Sequence, residues 1–258
     1  MITIIEAKHH YEGADAVHDF DHVLRVLALA ERIGRAEGAD LAIVRTAALL
    51  HDVGREKAEA GGLDHAAFAA DQAREILSQQ WSEEPVLDYP KVPVPGCPEE
   101  PVLGRIGHPA PPVYGGVESH RPERAGAGLL PAQVEAVAHA IAAHRFRAGP
   151  KPSTLEAQVL FDADKLDAIG AVGVARAFAY GGAHGQRLWT PVETVDVTRW
   201  QEEGDHPRDH TPVHEFVVKL SRLKERLFTP TGRAIAEERH AYMVAFFERF
   251  DAEVRGEQ

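Results

Sequence analysis

The sequence predicts an all-α fold, and three observations support this prediction. Apolar residues recur at the three- and four-residue spacing of helices through most of the chain. Residues that begin or end helices, such as Asp40, Asp64 and Gly38, stand at the edges of these stretches. Stretches that alternate apolar and polar residues, as strands do, are few. The chain has 258 residues, 44% of them hydrophobic, which is enough to bury one large core or two small ones.

Seven helices are predicted from this periodicity. In chain order they span about 15–37, 40–54, 64–80, 131–146, 154–180, 213–228 and 231–254. The second is the most apolar and reads LAIVRTAALL before His51. Asp40 and Asp64 are the expected N-caps of the second and third helices. Pro131 opens the fourth, where its missing N–H costs no hydrogen bond.

Two segments interrupt the helical pattern. The first, from about residue 82 to Pro131, is rich in Pro and Gly, so we expect an irregular surface insertion, with a lid or an oligomer contact as the alternative. The second, about 181–212, carries Trp189 and Trp200 and is expected to form a packed loop or a short hairpin. Neither an internal repeat nor a dividing linker is evident, and residues 1–258 are therefore predicted to form a single domain.

The charge of the chain excludes some classes of partner. Its net charge of -12 argues against extended nucleic acid and against anionic membranes, both of which favour Lys and Arg. A small anionic substrate stays possible, because a bound divalent cation supplies positive charge locally. The single Cys97, the lack of a signal peptide and the lack of a membrane-spanning run favour a soluble cytoplasmic protein. A monomer or a homodimer is expected.

The adjacent residues His51 and Asp52, at the end of the most apolar helix, are the main candidates for chemistry. Burying both is costly unless they bind something, and a divalent metal is the simplest partner. On the first helix His22 shares the inward face with apolar residues four, seven and eleven positions later. A further carboxylate is expected from one Asp of the run Phe161–Asp167, which contains Asp162, Asp164 and Asp167. Asp162 and Asp164 lie about 200° apart around a helix and are therefore unlikely to reach one ion together. Such mixed ligands suit Mn, Fe, Co, Ni, Zn or Mg.

Three motifs in order extend this pattern: HDFDHVLRV from His18, LFDADKLDAIGA from Leu160, and AEERH from Ala236. Together with the His51–Asp52 pair they resemble the HD-domain superfamily of metal-dependent phosphohydrolases, in particular a bacterial single-domain branch. The resemblance implies an HD-domain helical bundle with a Pro/Gly-rich insertion. It also implies that the distant ligand is Asp164, the Asp followed by a basic residue and Leu, with Asp162 supporting the site or the helix packing.

The resemblance assigns roles to the remaining candidates. The implied metal ligands are His22, His51, Asp52 and Asp164, with Mn or Mg favoured as the ion. The implied substrate-binding residues are Arg55, His65, His144 and Lys165, although His65 and His144 are equally consistent with polar helix-end residues. The candidate catalytic residues are Asp52, His18 and Glu56, of which Glu56 has an exposed pair with Lys57 as its alternative role.

The function implied is hydrolysis of a phosphate ester or anhydride by metal-activated water. A nucleotide is the favoured substrate, which makes the chain a nucleotide pyrophosphohydrolase or a nucleotidase. One alternative is a phosphodiesterase with two metals, acting for example on a cyclic nucleotide, if His65 and His144 build a second metal site. The other is a non-catalytic sensor of metal or nucleotide, against which the intact ligand set argues.

Overall fold

The computed structural model describes residues 2–11, 20–79, 129–145, 149–196 and 210–257, and these residues form helices and connecting turns without a strand. The α-helices are α1 (Ile4–Lys8), α2 (Phe20–Glu37), α3 (Leu41–Leu50), α4 (Arg55–Ala60), α5 (His65–Gln79), α6 (Pro131–Ala143), α7 (Leu155–Asp167), α8 (Gly170–Ala183), α9 (Pro212–Val218) and α10 (Pro230–Arg255). Short 3₁₀ turns span His9–Tyr11, Val192–Thr194 and Leu220–Arg226. The predicted all-α fold is confirmed.

Helix α3 lies at the centre of the bundle. Its last five residues, Thr46 to Leu50, are all buried, so this half of the helix is covered on every side. It contacts α2, α6 and α7, while α5 packs on α6 and α10 packs on α8, α7 and α2. The helix therefore ends in the interior of the bundle. The residues that follow it, His51 and Asp52, are buried there, where α3 packs against α2, α6 and α7.

The predicted N-caps are present. The Asp40 carboxylate accepts a hydrogen bond from the backbone N–H of Ala42, and the Asp64 carboxylate accepts from those of Ala66 and Ala67. Each cap satisfies backbone donors that a helix start otherwise leaves without a partner. Their effect on the site is direct, because Asp40 starts the helix that ends at His51 and Asp64 starts the helix whose first residue is His65.

The single helix predicted over 154–180 is wrong, because the chain forms two helices there, α7 and α8. The break follows Asp167, and Gly170 adopts a left-handed φ of 79° that other residues rarely tolerate. A Cβ at Gly170 would also lie 2.9 Å from the Arg239 side chain. Gly170 thus lets the chain change direction immediately after the last turn of α7, where Asp164 and Asp167 lie.

Helix α4 was not predicted, since its six residues follow the His51–Asp52 pair in what the sequence suggested was a loop. Gly54 precedes it with a φ of 69°, and a Cβ there would lie 2.6 Å from the Phe68 ring. Only glycine fits this tight reversal without strain. The turn over residues 51–54 and the start of α4 hold Arg55 beside Asp52.

The helix predicted over 213–228 is also corrected. The chain is α-helical only over α9 and continues as the 3₁₀ turn Leu220–Arg226. Leu220 and Leu223 are three residues apart and both buried. A spacing of three places residues on one side of an α-helix and of a 3₁₀-helix alike, so the apolar pattern does not distinguish the two.

The two irregular segments are only partly described. Of the predicted insertion, residues 80–128 lie outside the described residues. In the second segment α8 extends to Ala183, a 3₁₀ turn spans Val192–Thr194, and residues 197–209 lie outside the described residues. Within the described ranges, none of the helices is both long and apolar enough to cross a membrane.

Asp162 is a packing residue between α7 and α10. It is fully buried and accepts hydrogen bonds from the backbone N–H groups of Phe228 and Thr229, at 2.9 and 2.7 Å, and from the Thr229 hydroxyl at 2.6 Å. These bonds fix the residues that begin α10. They direct the Asp162 carboxylate away from His51 and Asp52.

Replacing Asp162 with alanine is expected to destabilise the fold by about 2–4 kcal/mol, because it leaves buried N–H groups without acceptors. Urea denaturation followed by circular dichroism measures this loss. Metal binding by the folded Asp162→Ala protein is expected to match that of the wild type. A variant that keeps its stability but loses metal would instead place Asp162 in the metal centre.

Candidate metal centre

Side chains from five parts of the fold converge beside the end of α3. His22 comes from the first turn of α2, His51 and Asp52 follow α3, and Asp164 comes from the last turns of α7. His65 begins α5 and His144 directly follows α6. Together these residues form two triads with closely spaced ligand atoms: His22, His51 and Asp164 in one, Asp52, His65 and His144 in the other.

Three of these imidazoles have their Nδ1 atoms held by oxygen. His51 Nδ1 is 2.8 Å from the Ala48 carbonyl oxygen. His144 Nδ1 is 2.6 Å from that of Ile141, and His22 Nδ1 is 2.7 Å from the Asp167 carboxylate. Carbonyl and carboxylate oxygens only accept hydrogen bonds, so we assign the proton of each ring to Nδ1. The Nε2 lone pair of each neutral ring is then directed into the cluster.

In the first triad the Nε2 atoms of His22 and His51 are 3.2 Å apart. With both protons on Nδ1, neither Nε2 atom donates to the other, and two lone pairs face each other. Asp164 Oδ1 lies 3.5 Å from His22 Nε2. Only electron-pair donors meet at this point, which is the arrangement that a cation stabilises.

Asp52 belongs to the second triad and also faces the first. Its Oδ2 atom is 3.8 Å from His22 Nε2 and 3.7 Å from His51 Nε2. Its Oδ1 atom faces His144 Nε2 at 3.7 Å and His65 Nε2 at 4.0 Å. That Oδ1 atom is buried and has no hydrogen-bond partner within the described part of the chain, although buried polar atoms normally have one.

These separations fit a divalent ion. Ligand atoms that share an ion at about 2.1 Å lie about 3–4 Å from one another. The distance between the two Nε2 atoms, 3.2 Å, and their distances to the carboxylate oxygens of Asp164 and Asp52, 3.5 to 3.8 Å, fall in that range. Imidazole nitrogens and carboxylate oxygens are suitable donors for Mn, Fe, Co, Ni and Zn. The buried, unpaired Oδ1 of Asp52 is the kind of acceptor that a bound cation, or a water on it, would satisfy.

Two cationic side chains border the cluster. The Arg55 guanidinium is 3.1 Å from Asp52 Oδ2 and also pairs with Glu59. The Lys165 ammonium pairs with Asp164 and lies 5.2 Å from the centre of the Phe161 ring. Each cation contacts one of the predicted metal ligands. An anion bound to the metal would therefore lie close to both cations.

The structure does not bring all predicted residues to this place. Glu56 is exposed in the first turn of α4 and belongs to neither triad. His18 lies outside the described residues. The remaining predicted site residues, His22, His51, Asp52, Arg55, His65, His144, Asp164 and Lys165, lie together.

The electrostatics of the cluster keep Asp52 and Asp164 ionised and keep His51 and His144 neutral. Burial by itself raises the pKa of Asp52, but His51, Arg55 and His144 outweigh it and hold that pKa well below the usual range. The pKa of Asp164 is likewise low, because Lys165 and the neighbouring imidazoles outweigh its burial. Burial lowers the pKa of His51 and lowers that of His144 to about 4. At neutral pH these groups are in the protonation states that bind metal.

The metal-free protein is expected to lose stability as the pH falls from about 6.5 towards 4. In the unfolded chain His144 takes up a proton near its ordinary pKa of 6.5, whereas in the fold it does so only near 4. The unfolded state therefore binds more protons in this window, and the loss is on the order of 2–3 kcal/mol. Urea denaturation in a chelator at pH 7, 6 and 5 measures it.

Two variants on helix α6 and its end test the source of this pH dependence. His144→Gln is expected to reduce the slope in part, since His51 and His65, whose pKa values burial also lowers, act in the same direction. His139→Gln removes a half-buried histidine that lies outside both triads and is the comparison variant for His144→Gln. Equal stability of the wild type at pH 6.5 and 5 would contradict the prediction.

A cavity of about 270 Å³ opens beside Arg55 between α4, α8 and α9. Three cationic side chains line it, Arg55, Arg176 and Lys219, against one carboxylate, that of Glu215. Each of the three is paired with a carboxylate: Arg55 with Asp52 and Glu59, Arg176 with Asp167, and Lys219 with Glu215. The cavity therefore offers guanidinium and ammonium donors to an anionic ligand, which would have to compete with these carboxylates for them.

Asp167 is the buried acid that the sequence reasoning missed. Its carboxylate, 1% exposed, binds His22, Arg25 and Arg176, and these partners outweigh its burial and lower its pKa to about 2. A signal was present, because Asp167 follows Asp164 by three residues and so shares its face of α7. The sequence predicted a metal ligand among the acids of α7 but no acid that orients a ligand.

Comparison with known proteins agrees with this geometry. Residues 19–89 match the family model of the HD domain, a range that includes His22, His51 and Asp52. Over 243 residues the chain is 31% identical to the uncharacterized protein YpgQ of Bacillus subtilis, an alignment that covers 93% of this chain and 85% of YpgQ. The chain belongs to the HD-domain superfamily. The resemblance seen in the sequence motifs is confirmed.

Solved HD structures share the fold. The crystal structure of B. subtilis YpgQ in complex with ADP superposes with a TM-score of 0.60 at 26% identity, covering 98% of this chain and 99% of YpgQ. An HD-superfamily hydrolase from Bacillus thuringiensis gives a TM-score of 0.59 at 27% identity, covering 98% and 94% of the two chains. The chain is thus similar over 98% of its length to an HD-superfamily hydrolase, and its His/Asp cluster is a candidate site for a divalent metal.

Proposed function

We propose that this HD domain is a divalent-metal-dependent phosphohydrolase that cleaves a phosphate ester or anhydride of a nucleotide. The observation that carries the proposal is the pair of Nε2 lone pairs, on His22 and His51, that face each other at 3.2 Å beside Asp52 and Asp164. The proposed ligands are these four residues. A bound ion would lower the pKa of a water and polarise a phosphoryl oxygen.

The side chains around the ligands have separate roles in this proposal. Asp52 accepts a hydrogen bond from the attacking water and keeps its oxygen directed at phosphorus. Arg55 and Lys165 bind the non-bridging phosphoryl oxygens and stabilise the negative charge that grows on them. The cations in the cavity beside Arg55 attract the rest of an anionic substrate.

The preference for a nucleotide rests on a relative and on the donors of the cavity. YpgQ has been crystallised with ADP, and the cavity of this chain is lined by the donor groups of Arg55, Arg176 and Lys219. Both features suit a phosphorylated small molecule. They leave the base and the number of phosphates to experiment.

A two-metal phosphodiesterase is the second candidate, and the second triad supports it. His65 and His144 face Asp52 Oδ1, whereas His22 and His51 face Asp52 Oδ2. A carboxylate placed in this way is able to bridge two ions. Metal analysis distinguishes the candidates, with one ion per chain expected for the first and two for the second.

A metal-by-nucleotide screen tests the proposal. The protein is stripped with a chelator, refilled with Mn²⁺, Mg²⁺, Co²⁺ or Ni²⁺, and offered nucleoside mono-, di- and triphosphates and cyclic nucleotides. We expect release of phosphate or pyrophosphate with at least one metal, with Mn²⁺ or Mg²⁺ favoured. Tight nucleotide binding without product for any metal would overturn catalysis and favour a sensor.

A further inference from the structure

His22 differs from the other imidazoles of the cluster in what holds its ring. The Nδ1–H groups of His51 and His144 donate to backbone carbonyls one turn earlier in their own helices. The Nδ1–H of His22 donates instead to the side chain of Asp167, 145 residues later, at 2.7 Å. The orientation of His22 therefore depends on a tertiary contact between α2 and α7.

Two guanidinium groups hold the Asp167 carboxylate in turn. Arg25, one turn after His22 on α2, donates to Oδ1 at 2.8 Å and to Oδ2 at 3.2 Å. Arg176, on α8, donates to Oδ2 at 2.7 Å and to the Asp167 backbone carbonyl at 3.3 Å. Donors from α2 and α8 thus fix both the position and the plane of a carboxylate on α7.

We propose that Asp167 is the positioning residue of His22 and that Arg25 and Arg176 hold Asp167 for that role. An ionised carboxylate accepts only, so its contact keeps the His22 proton on Nδ1 and leaves the Nε2 lone pair for the metal. It also fixes the ring so that Nε2 lies near His51 and Asp164. This inference rests on the proposed metal centre and assigns Asp167 no contact with substrate.

The arrangement has a chemical reason. A carboxylate hydrogen-bonded to a metal-binding imidazole raises the basicity of the ring and fixes its orientation, and loss of such a partner costs about 10–100-fold in metal affinity. A buried ion pair alone would not need His22, since Arg25 and Arg176 already balance Asp167. The short hydrogen bond from His22 Nδ1 to Asp167 connects this ion pair to the metal-binding cluster.

The test compares Asp167→Asn with Asp162→Asn in the full-length protein. Asparagine keeps the size of the side chain, but its amide is able to donate to Nδ1 and so favours the other tautomer of His22. In the metal-free protein, ¹⁵N chemical shifts of the His22 ring report the tautomer. We expect the proton on Nδ1 in the wild type and in Asp162→Asn, and partly or wholly on Nε2 in Asp167→Asn.

Mn²⁺ titration provides the second readout. Asp167→Asn is expected to weaken Mn²⁺ binding by about 10–100-fold, whereas Asp162→Asn, equally buried on α7 but directed at Thr229, keeps the wild-type affinity. An unchanged tautomer together with an Mn²⁺ affinity within about threefold of the wild type would overturn the inference. The tautomer is read without metal, so it tests the link from Asp167 to His22 independently of the proposed function. A wild type that binds none of Mn²⁺, Mg²⁺, Co²⁺ and Ni²⁺ would defeat the proposed function but would leave the tautomer measurement valid.

A third variant covers the case in which Asp167→Asn does not fold. Arg25 has a side chain that is 36% exposed, so Arg25→Gln removes two of the hydrogen bonds to Asp167 at a position that tolerates change. We expect an intermediate loss of Mn²⁺ affinity, about tenfold, with the fold retained by circular dichroism. Wild-type affinity in folded Arg25→Gln would contradict the role of the two arginines.

Discussion

Replacing Asp52 with asparagine is expected to weaken divalent-metal binding by more than about a hundredfold and to lower hydrolysis by about a thousandfold or more. Asp52 faces His22 and His51 with one oxygen and His65 and His144 with the other, so a neutral amide disturbs both triads. Asparagine keeps the shape of the side chain and thereby limits the effect on packing. Calorimetric titration with Mn²⁺ and the rate of phosphate or pyrophosphate release measure the two losses.

His51→Ala is expected to lose metal and activity in the same way, because it removes one of the two opposed Nε2 atoms. His139→Gln serves as its control, since it removes a half-buried histidine of α6 that belongs to neither triad. Full hydrolysis by folded Asp52→Asn or His51→Ala would remove the pair from the mechanism. Loss of hydrolysis with metal binding intact would assign the residue to the water or the substrate rather than to the ion.

The sequence predicted part of this site from periodicity alone. His22 and His51 share faces with apolar residues on long helices, and such faces are buried with little ambiguity. Asp164 needed the family resemblance, because periodicity states only that Asp162 and Asp164 point apart. The structure places Asp164 3.5 Å from His22 and binds Asp162 to Phe228 and Thr229.

Other features depend on contacts that helical periodicity does not carry. The break between α7 and α8 depends on Gly170 and on the close approach of Arg239, a residue distant in sequence. The six residues of α4 are too few for a periodic signal, and that helix starts only because Gly54 reverses the chain. The bond from Asp167 to His22 joins two helices whose relative placement is decided by the packed core. Local patterns therefore located the long helices, whereas the short helix α4, the break between α7 and α8 and the contacts between side chains depended on tertiary packing.

Arg55 joins the cluster to the cavity beside it. One nitrogen of its guanidinium is 3.1 Å from Asp52, another is 2.8 Å from the exposed Glu59, and the group lines the cavity that Arg176 and Lys219 also line. A phosphate that displaces Glu59 would replace its negative charge beside Arg55 and would accept hydrogen bonds from the planar guanidinium. Lysine offers the same charge without that fork.

Arg55→Ala is therefore expected to lower kcat/KM by about 100- to 1,000-fold, because it removes a donor to the charge that develops in the transition state. Arg55→Lys keeps the charge and is expected to lose about tenfold, mostly through a higher KM. Metal content measured on each variant separates these effects from loss of the ion. Arg74→Ala removes an exposed arginine of α5 that pairs with Asp71 on the same helix and with Glu135 on α6, and it is expected to leave both parameters unchanged. A metal-loaded Arg55→Ala protein with kcat/KM within about twofold of the wild type would show that the phosphate binds elsewhere, and Lys165 would then be the cation to test.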